Sequence, residues 1–186
     1  MKFRLLLAAC LLSTSAIGGV EIEGVDISES LTVSGKSLQL NGAGVRTKFF
    51  FDIYIGALFL PSKVTTYSEV LAMPGPKQVS MTFLYDEVAR EKLTAAWDEG
   101  FENNLPASVL TALKDRLEQF NGLFVTAHKG DVFTFTFLEN ASTRVVFNGK
   151  EAGRIAGEDF QQALLLVWLG DNPADSDLKK GLLGAS

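Results

Sequence analysis

Along most of the chain, apolar residues recur with a period of two or of 3.6. One strand-length segment keeps to neither. Residues 49 to 60, FFFDIYIGALFL, are apolar almost throughout, the pattern of a central strand covered on both faces. Before it, Val20, Ile22, Val25 and Ile27, then Leu31, Val33, Leu38 and Leu40, are interleaved with polar residues. Two or three antiparallel strands are expected there, turning near Glu23-Gly24 and Gly35-Lys36. Gly42, Ala43 and Gly44 predict a tight turn with room beside the backbone. Beyond Pro61, residues 66 to 73 suggest a short helix, and Met73-Pro74-Gly75-Pro76 ends a connector. Period two returns at residues 78 to 85, with Val79, Met81, Phe83 and Tyr85 on one side.

The period then lengthens. Ala89, Leu93, Ala96, Trp97 and Phe101 form one helical stripe, with Asp86 placed as an N-cap and Gly100 near the end. Leu110, Leu113, Leu117 and Phe120 repeat the pattern after Pro106. Phe133, Phe135 and Phe137 restore alternation, and Asn148-Gly149 between two short apolar runs is a strong hairpin signal. Residues 160 to 169 are apolar nearly all round, which predicts a helix buried against the sheet. Residues 175 to 183 read as a last docked helix. The sum is an α+β domain, a curved antiparallel sheet with helices packed on one face.

At 186 residues the chain suits one domain with a substantial core. Met1-Lys2-Phe3-Arg4 and the apolar run Leu5 to Leu12 precede small residues from Ser13 to Gly19, the layout of a secretory signal peptide over residues 1–18. It is too short to span a bilayer, which takes about 20 apolar residues. Cleavage is expected near Ala16 to Gly19, after Ala16 or Gly18, leaving residues 19–186 as a single periplasmic or secreted domain. Leu7-Ala8-Ala9-Cys10 fits a lipobox, but the apolar stretch before Cys10 is only a few residues long, so ordinary cleavage is favoured over a lipoprotein. Cys10 is the one cysteine, and its loss removes any disulfide or thiol chemistry.

Without Lys2 and Arg4, fifteen basic residues remain against 22 acidic ones, a formal charge of −7. That balance opposes nucleic acid as a partner, and no later apolar run is long enough for an integral membrane segment. No metal-ligand spacing, Walker loop, GxGxxG or nucleophile elbow occurs, so no cofactor and no metal are expected. His128, the one histidine, reads as an exposed loop residue. Asp86, Glu87, Glu91, Asp98 and Glu99 read as a solvated face. Arg46 stands apart. It is a cation entering an apolar run with no acid near it in sequence, and a guanidinium so placed must find a carboxylate or an anionic ligand.

The string Gly42-Ala43-Gly44-Val45-Arg46, with Lys48-Phe49 and then Tyr54-Ile55-Gly56-Ala57-Leu58-Phe59-Leu60, resembles the signature of the chalcone-isomerase fold. Ala95-Ala96-Trp97, Lys129-Gly130-Asp131 and the stretch from Phe160 to Gly170 extend the likeness over residues 20 to 184 or so. The closest resemblance is to bacterial chalcone isomerase-like proteins, and it implies an open-faced β-sandwich.

For the site, the resemblance implies the following. In the plant isomerases the arginine matching Arg46 stabilises an enolate while a phenolate adds to an enone; in fatty-acid-binding relatives an arginine and a tyrosine hold a carboxylate. Tyr85 falls where the enzymes keep a tyrosine. Their helix asparagine falls on Lys92, their strand threonine on Ile53 beside Tyr54, and their late-helix Ser or Thr on Val167. An arginine above an apolar pocket suits an aliphatic acid better than a polyphenol. The favoured reading is a noncatalytic binder of a small hydrophobic anion such as a fatty acid, with Arg46, Tyr54, Tyr85 and Lys92 as ligand-binding residues. A chalcone isomerase-type lyase relying on Arg46 and Tyr85, and an interaction module without a small ligand, are the alternatives. Tyr54 lies eight residues beyond Arg46, about 26 Å on a straight strand, so the two meet only if the chain turns or bulges near residues 45 to 48.

Overall fold

The computed structural model describes residues 19–184. The expected signal peptide, residues 1–18, and Cys10 within it lie outside the described residues. Eleven strands and five helices follow one another: β1 Gly19–Ile22, β2 Val25–Ser28, β3 Ser30–Val33, β4 Lys36–Lys48, β5 Phe51–Leu60, α1 Tyr67–Ala72, β6 Lys77–Phe83, β7 Glu87–Val88, α2 Arg90–Asn104, α3 Ala107–Asn121, β8 Ala127–His128, β9 Val132–Leu138, β10 Ser142–Phe147, β11 Lys150–Ala156, α4 Glu158–Leu169 and α5 Ser176–Leu182. Seven strands form one antiparallel sheet in the order β11-β10-β9-β6-β5-β4-β3, while β1 pairs only with β2 and β7 only with β8. The sheet curls into a half-barrel. The architecture is α+β, as the periodicities predict.

β5 lies inside the sheet and is buried from Tyr54 to Leu60. Tyr54, Leu58 and Leu60 face the helices, together with Phe83, Phe133, Phe135 and Phe137. Ile55, Ala57 and Phe59 face the other way, where Ile27, Val33, Leu38 and Leu40 cover them. Two covered faces explain why this segment shows no alternation. α4 buries Phe160, Leu164, Leu165, Val167 and Trp168 against the sheet, each such side chain contributing about 1.5–3 kcal/mol. The turns near Gly24 and Gly35, the short helix after a Thr66–Glu69 capping box, and the Asn148-Gly149 hairpin with positive φ at both residues all stand where the sequence places them.

Four local expectations change. Gly42, Ala43 and Gly44 make no turn; they lie within β4, and the bareness of the glycines serves a close approach instead. A Cβ on Gly42 would sit 2.9 Å from the Leu182 carbonyl oxygen, and one on Gly181 would sit 2.6 Å from that of Ala43. α5 therefore rests directly on the β4 backbone. The turn falls at Phe49 and Phe50, so the apolar run is not buried from its start: Phe49 is 84% exposed and Phe50 96%. Asp86 caps nothing. Glu87 and Val88 pair with His128 and Ala127, which delays α2 to Arg90, whose amide donates to Thr126 Oγ1 at 3.2 Å. Gly100 lies inside α2 and not at its end; a Cβ there would be 2.8 Å from Val167.

Candidate functional site

The β4–β5 hairpin builds the site. Because the chain turns at Phe49-Phe50, Arg46 pairs directly with Tyr54 across the strands. The next pair is Thr47 with Asp52, which leaves Ile53 as an extra residue on β5. A bulge of this kind re-aims its neighbours. Ile53 lines a cleft while Tyr54, beside it, is buried in the helix-side core. The Ile53 carbonyl accepts from the amides of Leu84 at 2.9 Å and Tyr85 at 3.3 Å, anchoring the segment that carries Tyr85.

The cleft has a volume of about 510 Å³, within the range of roughly 300–1,000 Å³ usual for small-molecule sites. Phe49, Phe51, Ile53, Val88 and Leu93 supply apolar wall. Arg46, Lys48 and Lys92 bring cations to it, with Glu87 and Glu99 as the acids. Tyr85 is part of the lining, 38% exposed, its ring edge-on to Phe51 at 5.5 Å. Arg46 is common to this cleft and to a deeper recess of about 20 Å³ bounded by Tyr54, Met81, Leu93, Trp97 and Val167. That recess holds about one oxygen-sized group, such as a water.

Arg46 is half-buried and takes part in no ion pair among the described residues. Its guanidinium stands 5.7 Å from the centre of the Tyr54 ring, a cation–π contact. Its Nε is buried without a hydrogen-bond partner, and so is Trp97 Nε1. Both residues line the recess. Unsatisfied buried polar atoms are rare and costly; Asn121 Oδ1, Thr143 Oγ1 and Arg144 Nε share that condition elsewhere, while Arg46 and Trp97 are the two that line one recess.

Tyr54 hardens the floor. Its hydroxyl oxygen accepts from Trp168 Nε1 at 3.1 Å. Burial raises its pKa above the ordinary tyrosine value; the Arg46 charge and the Trp168 hydrogen bond oppose that rise, and the Asp175 charge adds to it. The group is a neutral phenol at physiological pH and remains a donor. The Asp175 carboxylate is itself committed, accepting from the amides of Thr47, Asp177 and Leu178.

Of the four ligand-binding residues expected from sequence, the structure brings Arg46, Tyr85 and Lys92 to the wide cleft and sets Tyr54 under Arg46 in the recess. Lys92 is exposed at the margin, and Val167 is buried. Trp97 was missed as a polar contributor. Its indole N–H has no sequence signal beyond the residue type, since ring contacts to Phe120, Phe124, Phe135 and Trp168 at 5.3 to 5.5 Å make it a core aromatic as well. His128 is exposed and lies 3.9 Å from Glu87. Among the described residues no group of His, Cys, Asp or Glu is placed to hold a metal ion, and no helix is long and apolar enough to cross a membrane.

A curled seven-stranded antiparallel sheet with helices on one face is the chalcone-isomerase fold. A fatty-acid binding protein of Arabidopsis thaliana has the same architecture, with a TM-score of 0.71 over 89% of this chain and 96% of that one, at 12% sequence identity. At that identity the likeness is one of fold. No curated protein is significantly similar in sequence. The sequence pattern of the chalcone isomerase-like family matches residues 19–184, and the chain belongs to that family.

Proposed function

We propose that the protein is a noncatalytic extracytoplasmic carrier or sensor that holds a small hydrophobic anion, such as a fatty acid, with its carboxylate at Arg46. One observation carries the reading: Arg46 and Trp97, each with a buried and unpaired N–H, both line a recess with room for one oxygen. A carboxylate oxygen there would satisfy both donors, and Tyr54, which lines the same recess, would offer its hydroxyl as a third. The apolar wall of the cleft would take the start of the alkyl chain, with Tyr85 and Lys92 at its margin. The recess is too small for the chain itself, so the chain lies in the cleft and not in a tunnel through the core. The Arabidopsis neighbour, described as a fatty-acid binding protein, agrees with this ligand class. The signal-like leader supports an extracytoplasmic location.

Native mass spectrometry of the purified protein, with identification of its organic extract, tests the reading. A discrete bound acyl mass is expected, and Arg46→Ala is expected to lose it while remaining folded. An Arg46→Ala protein with the same ligand load would remove the site assignment.

The isomerase reading retains one observation in its favour, since Arg46 and Tyr85 line the same cleft. Against it, the positions matching the enzymes' hydroxyl groups are Ile53 and Val167, which neither donate nor accept. Cyclisation of a hydroxychalcone no faster than the spontaneous reaction is the expected result.

A further inference from the structure

The hairpin tip at the rim of the cleft buries little of itself. Lys48 pairs with Phe51, leaving Phe49 and Phe50 as the two turn residues. Two-residue hairpins place Gly, Asn or Asp where φ is positive, yet Phe49 holds that place with φ of 60°, a strained setting for a bulky side chain. Phe49 and Phe50 are 84% and 96% exposed, and Phe51 55%. Phe51 touches the Tyr85 ring, but Phe49 and Phe50, held out at a strained turn, contribute little to stability.

We propose that Phe49-Phe50-Phe51 is a peg that enters a phospholipid bilayer surface and brings the cleft to the membrane, where a hydrophobic anion is taken up or released. Three observations point to a bilayer and not to another protein. The turn is two residues wide, far short of the roughly 800 Å² per partner of a stable protein interface; phenylalanine is among the side chains that enter the headgroup and acyl boundary of a bilayer. Lys48 and Lys92 stand beside it with no ion-pair partner among the described residues, and Asp52 is engaged by the Thr47 hydroxyl at 3.0 Å. These cations match lipid phosphates on a chain that is otherwise acidic. Phe49 and Phe51 also line the cleft, so the apolar path from peg to Arg46 is continuous. Glu87 and Glu99 share that lining, which makes charge the minor contribution and the rings the major one. The uptake role rests on the proposed ligand; the docking does not.

Flotation with vesicles of phosphatidylethanolamine and phosphatidylglycerol, without added fatty acid, tests the docking. Phe50 is the residue to change, since it lies outside the cleft lining. The protein is expected to float with the vesicles. Phe50→Ser is expected to lower partitioning about tenfold, as loss of one buried aromatic ring requires, and Phe50→Trp to show a blue-shifted emission on the vesicles. Arg46→Ala should still float, so loss of its ligand and loss of docking are read separately. Equal flotation of Phe50→Ser and the unaltered protein would overturn the proposal. So would an absence of vesicle binding accompanied by a dimer, in sedimentation velocity, that Phe50→Ser dissolves; the tip would then join two copies of the chain.

Discussion

The two ends of the β4–β5 pair are built on opposite terms. At the closed end, Gly42, Gly44 and Gly56 strip the sheet surface so that α5 rests on it, with Leu178 only 2.9 Å from where a Gly56 Cβ would be. Asn41 is buried there with both its amide nitrogen and its amide oxygen bonded, donating to the Leu182 carbonyl at 2.7 Å and accepting from the Val64 amide at 2.8 Å. At the other end of the same strands, Arg46 keeps a buried donor unpaired, Ile53 bulges out of register, and three phenylalanines meet solvent. One end is satisfied and one is left wanting. Departures from good packing and pairing concentrate at functional sites because the rest of the structure can carry their cost.

The largest effect on stability should come from crowding the closed end. Gly181→Val would drive a branched side chain into the backbone of Ala43 and Gly44, and neither strand nor helix can yield there. Overpacking of this kind costs about 3 kcal/mol, read as a lowered midpoint in urea unfolding. Asn41→Ala should follow at about 2 kcal/mol, since it leaves the buried Leu182 carbonyl and the half-buried Val64 amide without a partner. An Asn41→Ala protein as stable as the parent would mean that this end is less tightly closed than its hydrogen bonds indicate.

How much of this was legible in the sequence depended on whether a residue type has one structural use or several. Asn148-Gly149 and the Phe133, Phe135, Phe137 alternation each have one, and both stand as expected. Glycine has two. Gly42 and Gly44 look like a turn, but serve a helix that arrives some 130 residues later, and no local window contains it. The true turn, Phe49-Phe50, carries none of the residues by which turns are recognised, because its side chains answer to something other than the fold. Asp86 was a sound N-cap by type. Pairing of Glu87 and Val88 with β8, a contact from some 40 residues away, displaced the helix start. Arg46 stood out by chemistry, as a lone cation in an apolar run, but its ligand role rested on the family resemblance. Its meeting with Tyr54 was not legible, because it depends on the hairpin and the bulge together.

The smallest stability change is expected at the open end, and that smallness is the sharper test. Arg46→Leu removes a cation–π contact with Tyr54 worth about 0.5–1 kcal/mol at a partly exposed site, and breaks no ion pair. It also removes the unsatisfied Nε, whose burial already costs the folded state. The two nearly cancel, so unfolding stability should stay within about 1 kcal/mol of the parent, with a small gain in a ligand-free preparation. A structural arginine would behave differently, its loss costing several kcal/mol, as breaking a buried pair does. Measured on apo protein, a large destabilisation by Arg46→Leu would place Arg46 with Asn41 among the groups that hold the fold closed. A neutral result would leave its charge unexplained by the fold, and so available to a ligand.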